Sequence, residues 1–590
     1  MTSPVVRAFI SHHLPAAAGD APRPAVFSRL KVLDVLSSTT PRPSGRKPNW
    51  TRHLAALATK AGEKCRLGTL LLLSSLLVAA SDQTGQSPQP NGPTAERSAV
   101  PAATTPISPH TKIGKRTVDE WRQLVDQTWG PGEPTADKAR IFDAAWDNLD
   151  REYGAYMNLD VDMRALRRRY RQEIRDGVSR GRFVAIMNHL SLAMNDAHTA
   201  IVNGPVSWGT RMQMGTPLFV VGAWVDNSPF GAALTPMPDG SLLVFRALAN
   251  HPLGLEPGDL VLGYDGVPWS VLYRQLLEVE LPIRLHWVWG STDASMEHCM
   301  LMSAAMNWHL FDTIDIQKYG SEDIVSLPTN LLLNLTGRAI WGNEQLPVPG
   351  VEMPDFVNED YITWGIIDGT QIGYIYVASW SYEDEDEISE QWYEAIDELM
   401  HNYETTGLIV DFRLNQGGYM LEAHDGYSLL FNERVSAVSF DLRGSPDDHL
   451  DMVPHRTFNA ERFTIPGDPA TYYDKPIAVL TGPGAVSNGD WESLRMGFHP
   501  MVRTFGKASN GAFTLSDTPH LGDDWYFSKA TGSGYLVDGH QYLAHTGVQV
   551  DQEVWLTRDD VAEGRDTVVT AAVRWIEGNR VRRPTGRLRP

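Results

Sequence analysis

The chain has 590 residues, of which 42% are hydrophobic, and a formal net charge of −21 at pH 7. This length exceeds one ordinary domain, so we expect about two to four domains. The negative charge argues against nucleic-acid binding, because non-specific affinity for phosphate backbones comes from clustered lysine and arginine side chains. Two cysteines, Cys65 and Cys299, lack the spacing of a disulfide framework or a zinc site, so neither a disulfide framework nor a structural zinc is predicted.

The first 114 residues divide into three predicted segments. Residues 67–81 contain the apolar run "LGTLLLLSSLLVAA" after several basic residues, which is typical of a signal peptide and short for a membrane span. Residues 1–66 are then an N-terminal extension from a start codon assigned too early, and residues 82–114 are a disordered linker. We expect an exported protein, periplasmic or extracellular, that contacts a membrane only through this signal segment or, alternatively, through the same segment kept as an anchor.

Three stretches follow before the last part of the chain. Residues 115–205 repeat apolar residues at three- and four-residue steps, which predicts a helical module. Residues 206–285 contain short strand-like runs separated by Pro, Asp and Gly, which predicts a small β-rich domain. Residues 286–359 form a predicted connecting region, in which "ASMEHCMLMSAAMNWHLFDTI" has helical spacing.

Residues 360–580 alternate strand-like and helical stretches. Near-continuous apolar strands such as "GLIVDF" and "PIAVL" predict an α/β fold, with a mostly parallel sheet covered by helices on both faces. Ligands of such sheets bind beyond the carboxyl ends of the strands. Two glycine-containing loops occupy that position, "RLNQGGY" and "GPGAVSNGD", and they are the predicted site.

Ser487 stands between the strand "PIAVL" and a predicted helix, and two interpretations of it are open. It is a helix cap if its side chain pairs with the following turn, with Asp490 as the acidic third residue of a capping box. It is a nucleophile if its hydroxyl is presented above the sheet. In that case the amides of Gly417, Gly418 and Asn488 are candidate donors to a developing oxyanion, because glycine permits close backbone approach.

Several motifs together resemble one family. In chain order, "GLIVDFRLNQGGY", "KPIAVLTGPGAVSNGDWES" and "GKASNGAF" are similar to the S41 family of serine peptidases, the tail-specific or C-terminal-processing proteases. Upstream, "LSLAMNDAHTAIV" looks like the helical module of tricorn-like members, and "GLEPGDLVLGYDGVPW" looks like the end of a PDZ domain. The resemblance implies a crotonase-like (ClpP-like) peptidase core over residues 360–580, a PDZ-like domain over residues 206–285, and no cofactor.

The resemblance also implies roles for single residues. Ser487 matches the nucleophile, the glycines of "NQGGY" match the oxyanion loop, and the amide of Asn488 matches the second oxyanion donor. In one branch a lysine activates the serine, but here Ala512 aligns with that lysine and Lys507 falls at a peripheral position. The chain is therefore similar to the tricorn-like branch, in which a histidine is the base, and "NDAHT" places His198 there.

Two positions depart from the tricorn-like pattern. Ala197 stands where a serine helps to orient the histidine, and Ala544 stands where a glutamate is expected. Candidate substitutes for these relay members are Asp196, Asp538 and His545.

Two functions follow from the resemblance. The first is an exported serine endopeptidase of the tail-specific type that hydrolyses protein or peptide substrates. The second is a catalytically impaired relative that binds peptides or hydrophobic ligands, as the interphotoreceptor retinoid-binding proteins illustrate. Asp538, His540 and His545 lie close in sequence but lack a metal-ligand spacing, so no metal site is predicted there.

Overall fold

The computed structural model describes residues 107–207, 216–221, 230–285, 289–335, 346–352, 361–381 and 385–579. The predicted N-terminal extension, the signal-peptide-like segment and most of the predicted linker lie outside these residues. Within the described part of the chain, no helix is long and apolar enough to cross a membrane.

The helical module contains the four helices that the spacing predicts. They are Val118–Trp129, Thr135–Glu152, Met163–Asp176 and Arg180–Leu192. The first helix begins at a capping box, in which the Thr117 hydroxyl accepts from the backbone of Glu120 and the Glu120 carboxylate accepts from the backbone of Thr117. After the fourth helix the chain turns at Asn195, whose φ is 45°, and reaches His198.

The β-rich domain is built on a six-stranded, antiparallel sheet. Its strands are Ala232–Pro236, Leu242–Ala247, Leu260–Tyr264, Val267–Pro268, Thr313–Gln317 and Ile324–Pro328. The helix Trp269–Val279 packs on this sheet through the buried side chain of Trp269. The last two strands come from the stretch predicted as a connecting region, so this sheet extends beyond residue 285.

The helical spacing over residues 294–314 is divided in the structure. A helix covers Asp293–Met302, short helical turns follow, and a strand begins at Thr313. The Asp265 carboxylate accepts the backbone N–H groups of Asp312 and Thr313. These hydrogen bonds stabilise the change from helix to strand at this point. Their acceptor, Asp265, is distant in sequence, so the helical spacing could not reveal it.

The central sheet of the last part has six strands and confirms the predicted parallel arrangement. In spatial order the strands are Ile362–Ile366, Ile372–Val377, Gly407–Asp411, Ile477–Thr481, Val502–Gly506 and Gln552–Glu553. The first pair is antiparallel and the others are parallel.

Both faces of the central sheet are covered by helices. Leu408 and Val410 pack against the helix Glu385–Asp397, whereas Ile409 packs against Thr567–Gly578. Successive strand residues face opposite sides, so a strand that is apolar throughout is buried on both.

A second, antiparallel sheet lies beside the central one and was not predicted. Its strands are Val438–Arg443, Met452–Pro454, Thr514–Asp517, Trp525–Leu536 and Gln541–Tyr542. The strand Ala200–Asn203, which directly follows His198, pairs antiparallel with the beginning of Trp525–Leu536. The Ser528 hydroxyl donates to the carbonyl oxygen of His198 at 2.6 Å. This long-range pairing brings the end of the helical module to the last part of the chain.

Candidate active site

Ser487 lies in a strained turn between the strand Ile477–Thr481 and the helix Asn488–Met496. Its φ and ψ are 56° and −115°, a conformation that costs a residue other than glycine about 1–3 kcal/mol. The side chain makes no capping hydrogen bond, although Ser487 occupies the N-cap position. The capping interpretation of its hydroxyl is therefore wrong, and the nucleophile interpretation, which expects a strand–turn–helix here, stays a prediction.

Asp490, in the first turn of that helix, hydrogen-bonds to the neighbouring loop that contains Gly511 and Ala512. Its carboxylate accepts the backbone N–H groups of Gly511 at 2.8 Å and of Ala512 at 3.0 Å. The Ser509 hydroxyl and the backbone of Ser487 also lie near this carboxylate. Burial raises the pKa of Asp490 to about 7, against the lowering effect of these donors. The start of the helix and the loop that leads to Thr514–Asp517 are thus held together.

The glycine loop lies directly against Ser487. A Cβ atom at Gly417, where φ is 91°, would be 2.7 Å from the Cβ of Ser487 and 3.1 Å from the nitrogen of Asn488. The N–H of Gly417 donates to Asn415 Oδ1 at 2.9 Å. Of the three predicted amides, those of Gly418 and Asn488 make no hydrogen bond within the described residues, and these two are the ones open to an oxyanion.

His198 lies half-buried after the turn at the end of the helical module. Its Nδ1 is 2.6 Å from Thr514 Oγ1, and its backbone N–H donates to Asp196 Oδ1 at 3.1 Å. Burial lowers the pKa of His198, with the charge of Asp196 acting in the opposite direction. No residue in the described part of the chain hydrogen-bonds to Nε2. When Nδ1–H donates to Thr514, Nε2 presents a lone pair and can act as a base.

The loops that carry His198 and Ser487 are in contact. Ala197, Val486 and Ala512 form one small cluster of buried apolar side chains. Ala197 precedes His198 and Val486 precedes Ser487, so the two candidate residues lie in loops that contact each other.

The position expected for a catalytic lysine belongs to Ala512, which is fully buried in that cluster. The ammonium of Lys507 instead lies over the ring of Trp555, 4.9 Å from its centroid. Burial lowers the pKa of Lys507 to about 8. The chain thus places an apolar side chain beside the Ser487 loop where a lysine base would stand.

None of the three candidate relay substitutes hydrogen-bonds to the ring of His198. The carboxylate of Asp196 is buried and accepts from the His198 backbone and, at 2.7 Å, from the Thr199 hydroxyl. Asp538 is exposed in a short turn after the long strand of the second sheet. Both ring nitrogens of His545 face backbone carbonyl oxygens. Asp196 therefore acts on His198 through its charge and through the loop backbone.

Sequence reasoning did not identify Thr514, which holds the His198 ring. A signal for it was available. Ala512 aligns with the lysine position of the family, and Thr514 is two residues further along. Alternate residues of an extended chain lie on the same side, so Thr514 is expected on the side of that lysine position. The expected glutamate position, Ala544, is fully buried among apolar residues of the helical module. Within the described residues, the hydrogen-bond partner of the His198 ring is thus a hydroxyl and not a carboxylate.

Residues 371–554 match the sequence model of peptidase family S41. These residues form an S41 peptidase domain. Ser487 and the loops around it lie within the match, whereas His198 lies upstream of it. The predicted family and the α/β fold of its core are confirmed, and the PDZ-like character of residues 206–285 stays a prediction.

Solved structures share this fold. Mature CPAF superposes with a TM-score of 0.53 at 14% identity, over 75% of this chain and 96% of that one. Mature CPAF complexed with lactacystin gives a TM-score of 0.52 at 13% identity, over 75% and 97%. Identities this low establish the fold alone. No curated protein sequence matches the chain.

The close approach at Gly417 gives a prediction for the S41 domain. Gly417→Ala is expected to lower kcat/KM at least roughly 100-fold, because the new Cβ would displace Ser487 and Asn488. Gly266→Ala is the matched control, since its φ is 78° but no atom lies within 4 Å of the added Cβ. It should cost about 1 kcal/mol of stability and leave hydrolysis unchanged. Equal losses of activity in the two folded variants would contradict the prediction.

Proposed function

We propose that the protein is a serine peptidase in which Ser487 is the nucleophile and His198 the general base. The match of residues 371–554 to a peptidase family supports protein or peptide substrates. The observation that carries the proposal is the strained Ser487, whose hydroxyl makes no hydrogen bond within the described residues and whose loop contacts that of His198. Strain of this kind persists only where the surrounding structure imposes it, and it clusters at active sites.

The reaction proceeds by acyl transfer. Nε2 of His198 takes the proton of the Ser487 hydroxyl while Oγ bonds to the scissile carbonyl carbon, and the N–H groups of Gly418 and Asn488 donate to the resulting oxyanion. The imidazolium then gives its proton to the amine as the C–N bond breaks. Water, deprotonated by His198, hydrolyses the acyl-enzyme and restores the serine.

The hydroxyl of Thr514 orients the imidazole through Nδ1. Thr514→Val is expected to lower kcat roughly 10- to 100-fold with little change in KM, because the ring loses the partner that fixes its tautomer. Thr514→Ser, which retains the hydroxyl, should recover most of the rate. Steady-state kinetics on a peptide substrate would measure both, and a valine variant as fast as the serine variant would refute this role.

The lowered pKa of His198 sets the acidic limb of the rate profile. A base must be neutral to accept a proton. As the pH is lowered, kcat/KM should therefore keep its plateau value past pH 6.5 and fall only when the pH drops through the lowered pKa of His198. A profile of kcat/KM against pH would test this. An acidic limb centred at or above pH 6.5 would contradict it.

We further propose that the enzyme is exported and acts on substrate tails. The signal-like residues 67–81 support export. The strand Ile324–Pro328 is an exposed edge of the β-rich domain, and such edges accept an extended chain by strand addition. Faster cleavage of a peptide with a free C-terminus than of its amidated form would support tail recognition, whereas equal rates would contradict it.

A second candidate is a binding protein with impaired catalysis. It is favoured by one observation: within the described residues, no carboxylate hydrogen-bonds to the His198 ring. The two functions are separated by a fluorophosphonate probe, which labels only an activated serine. Labelling of Ser487, retained in Ser428→Ala and lost in Ser487→Ala, supports the peptidase. Absence of labelling in the folded wild-type protein would favour the binding protein.

A further inference from the structure

Ser291, just before the helix Asp293–Met302, hydrogen-bonds in two directions. Its hydroxyl oxygen accepts the backbone N–H of Ala197, the residue before His198, at 2.9 Å. Its own backbone N–H donates to the carbonyl oxygen of Asn510 at 3.3 Å. Ser291 is buried. It therefore joins the loop that carries His198 to the loop that contains Asn510.

Asn510 continues this connection to the loop before Ser487. Its backbone N–H donates to the carbonyl oxygen of Ala485 at 3.1 Å. Its side-chain nitrogen donates to the carbonyl oxygens of Pro483 and Trp289, each at 3.1 Å. Asn510 is fully buried. One residue thus ties the nucleophile loop to the stretch that precedes the helix.

That stretch is held in place by the start of the helix. Thr292 and Ser295 form a capping box there, and the Ser295 hydroxyl also donates to the carbonyl oxygen of Asn510 at 2.8 Å. A Cβ atom at Gly511, where φ is 93°, would lie only 2.7 Å from Cγ2 of Thr292. The hydrogen bonds of Ser291 therefore start from a fixed helix terminus.

Apolar contact alone does not set the relative position of the two loops. Ala197, Val486 and Ala512 pack as small apolar side chains, and such contact has no preferred direction. Hydrogen bonds weaken steeply with distance and angle, so they restrict how far one loop can slide along the other. In the described part of the chain, only the Ser291 hydroxyl accepts the N–H of Ala197.

We propose that Ser291 is a positioning residue that holds the base loop in register with the nucleophile loop. It acts through the backbone of Ala197 and through Asn510, and not on the reacting atoms. This inference rests on the proposed function, in which His198 is the base and Ser487 the nucleophile. A displacement of about 1 Å between reacting groups costs roughly 100-fold in rate, so loss of the Ser291 hydroxyl should act mainly on kcat.

Steady-state kinetics and thermal unfolding of the full-length protein test this role. Ser291→Ala should lower kcat roughly 10- to 100-fold and change KM by less than about twofold, because no peptide contact is removed. Ser291→Thr, which retains the hydroxyl, should recover most of kcat. Ser303→Ala is the matched control, because the Ser303 hydroxyl is also buried and donates to the Met300 carbonyl oxygen at the other end of the same helix. It should retain wild-type kcat even if its unfolding midpoint falls as far.

Hydrogen exchange tests the contact without relying on catalysis. Measured by mass spectrometry with single-residue resolution, the Ala197 amide should exchange slowly in the wild type and at least roughly tenfold faster in Ser291→Ala. It should remain protected in Ser303→Ala. If Ser291→Ala does not fold, the wild-type measurement decides, since an unprotected Ala197 amide would overturn the proposal.

The kinetic outcomes separate this inference from the proposed function. In an active enzyme, wild-type kcat in Ser291→Ala would overturn the inference alone. Equal losses of kcat in Ser291→Ala and Ser303→Ala would also overturn it, because they would indicate general damage to the fold. A wild-type protein that hydrolyses no peptide would instead refute the proposed function, and this inference with it.

Discussion

Replacing Ser487 by alanine is expected to lower kcat at least roughly 10⁴-fold while leaving the fold intact. The alanine variant retains the oxyanion donors and the base but has no oxygen to form the acyl-enzyme. The strained backbone at this position is imposed by the turn, since no side-chain hydrogen bond holds it. We therefore expect an unfolding midpoint close to that of the wild type.

Peptide hydrolysis and thermal unfolding of the purified protein would measure these two quantities. Ser428→Ala provides the control. Within the described residues the Ser428 hydroxyl donates only to the carbonyl oxygen of Asp425, and both residues lie in the helix His424–Leu430 rather than in the helix that follows Ser487. Wild-type turnover by Ser487→Ala would exclude this serine as the nucleophile. Equal losses in both serine variants would indicate damage to the fold rather than to the chemistry.

Replacing His198 by alanine is expected to reduce kcat by a similar factor. The hydroxyl of Ser487 is a weak nucleophile unless a base removes its proton, and within the described residues no lysine takes that position, since Ala512 occupies it. Residues that act as one unit show strongly non-additive effects. The double variant with Ser487→Ala should therefore be about as slow as either single variant.

Kinetics of the wild type, the two single variants and the double variant form a double-mutant cycle. His401→Ala is the matched control, because His401 is exposed and paired with Asp397 one turn away on its own helix. Multiplicative losses in the double variant would mean that His198 and Ser487 act independently. A His198→Ala variant with nearly wild-type activity would show that another residue is the base.

The elements of this fold were largely predictable because their signals are local. Four apolar repeats gave the helices of the module, and apolar strands between them gave the parallel sheet. Ser487 was recognisable because a strand, two glycines and a helix start surround it within a few residues. The second sheet was missed because its strands are joined by long loops and pair across the sequence.

The roles of single groups were less predictable. Gly417, Gly418 and Asn488 look equivalent as amides in the sequence, but the Asn415 side chain accepts from the first and leaves the other two open. His545 was a candidate relay member, and the structure surrounds it with carbonyl oxygens. Each of these outcomes depends on which atoms lie within about 3 Å of one another, and periodicity carries no such information.

The sequence by itself determined the layered α/β core, the helical module and the strand–turn–helix that presents Ser487, because spacing and turn residues encode them over short distances. Only the tertiary structure decided that the strand after His198 pairs with Trp525–Leu536 and that Thr514 Oγ1 lies 2.6 Å from Nδ1 of His198. Those contacts join residues more than 300 positions apart. Their formation depends on the packing of the whole chain, in which buried polar groups must find partners wherever the fold brings them.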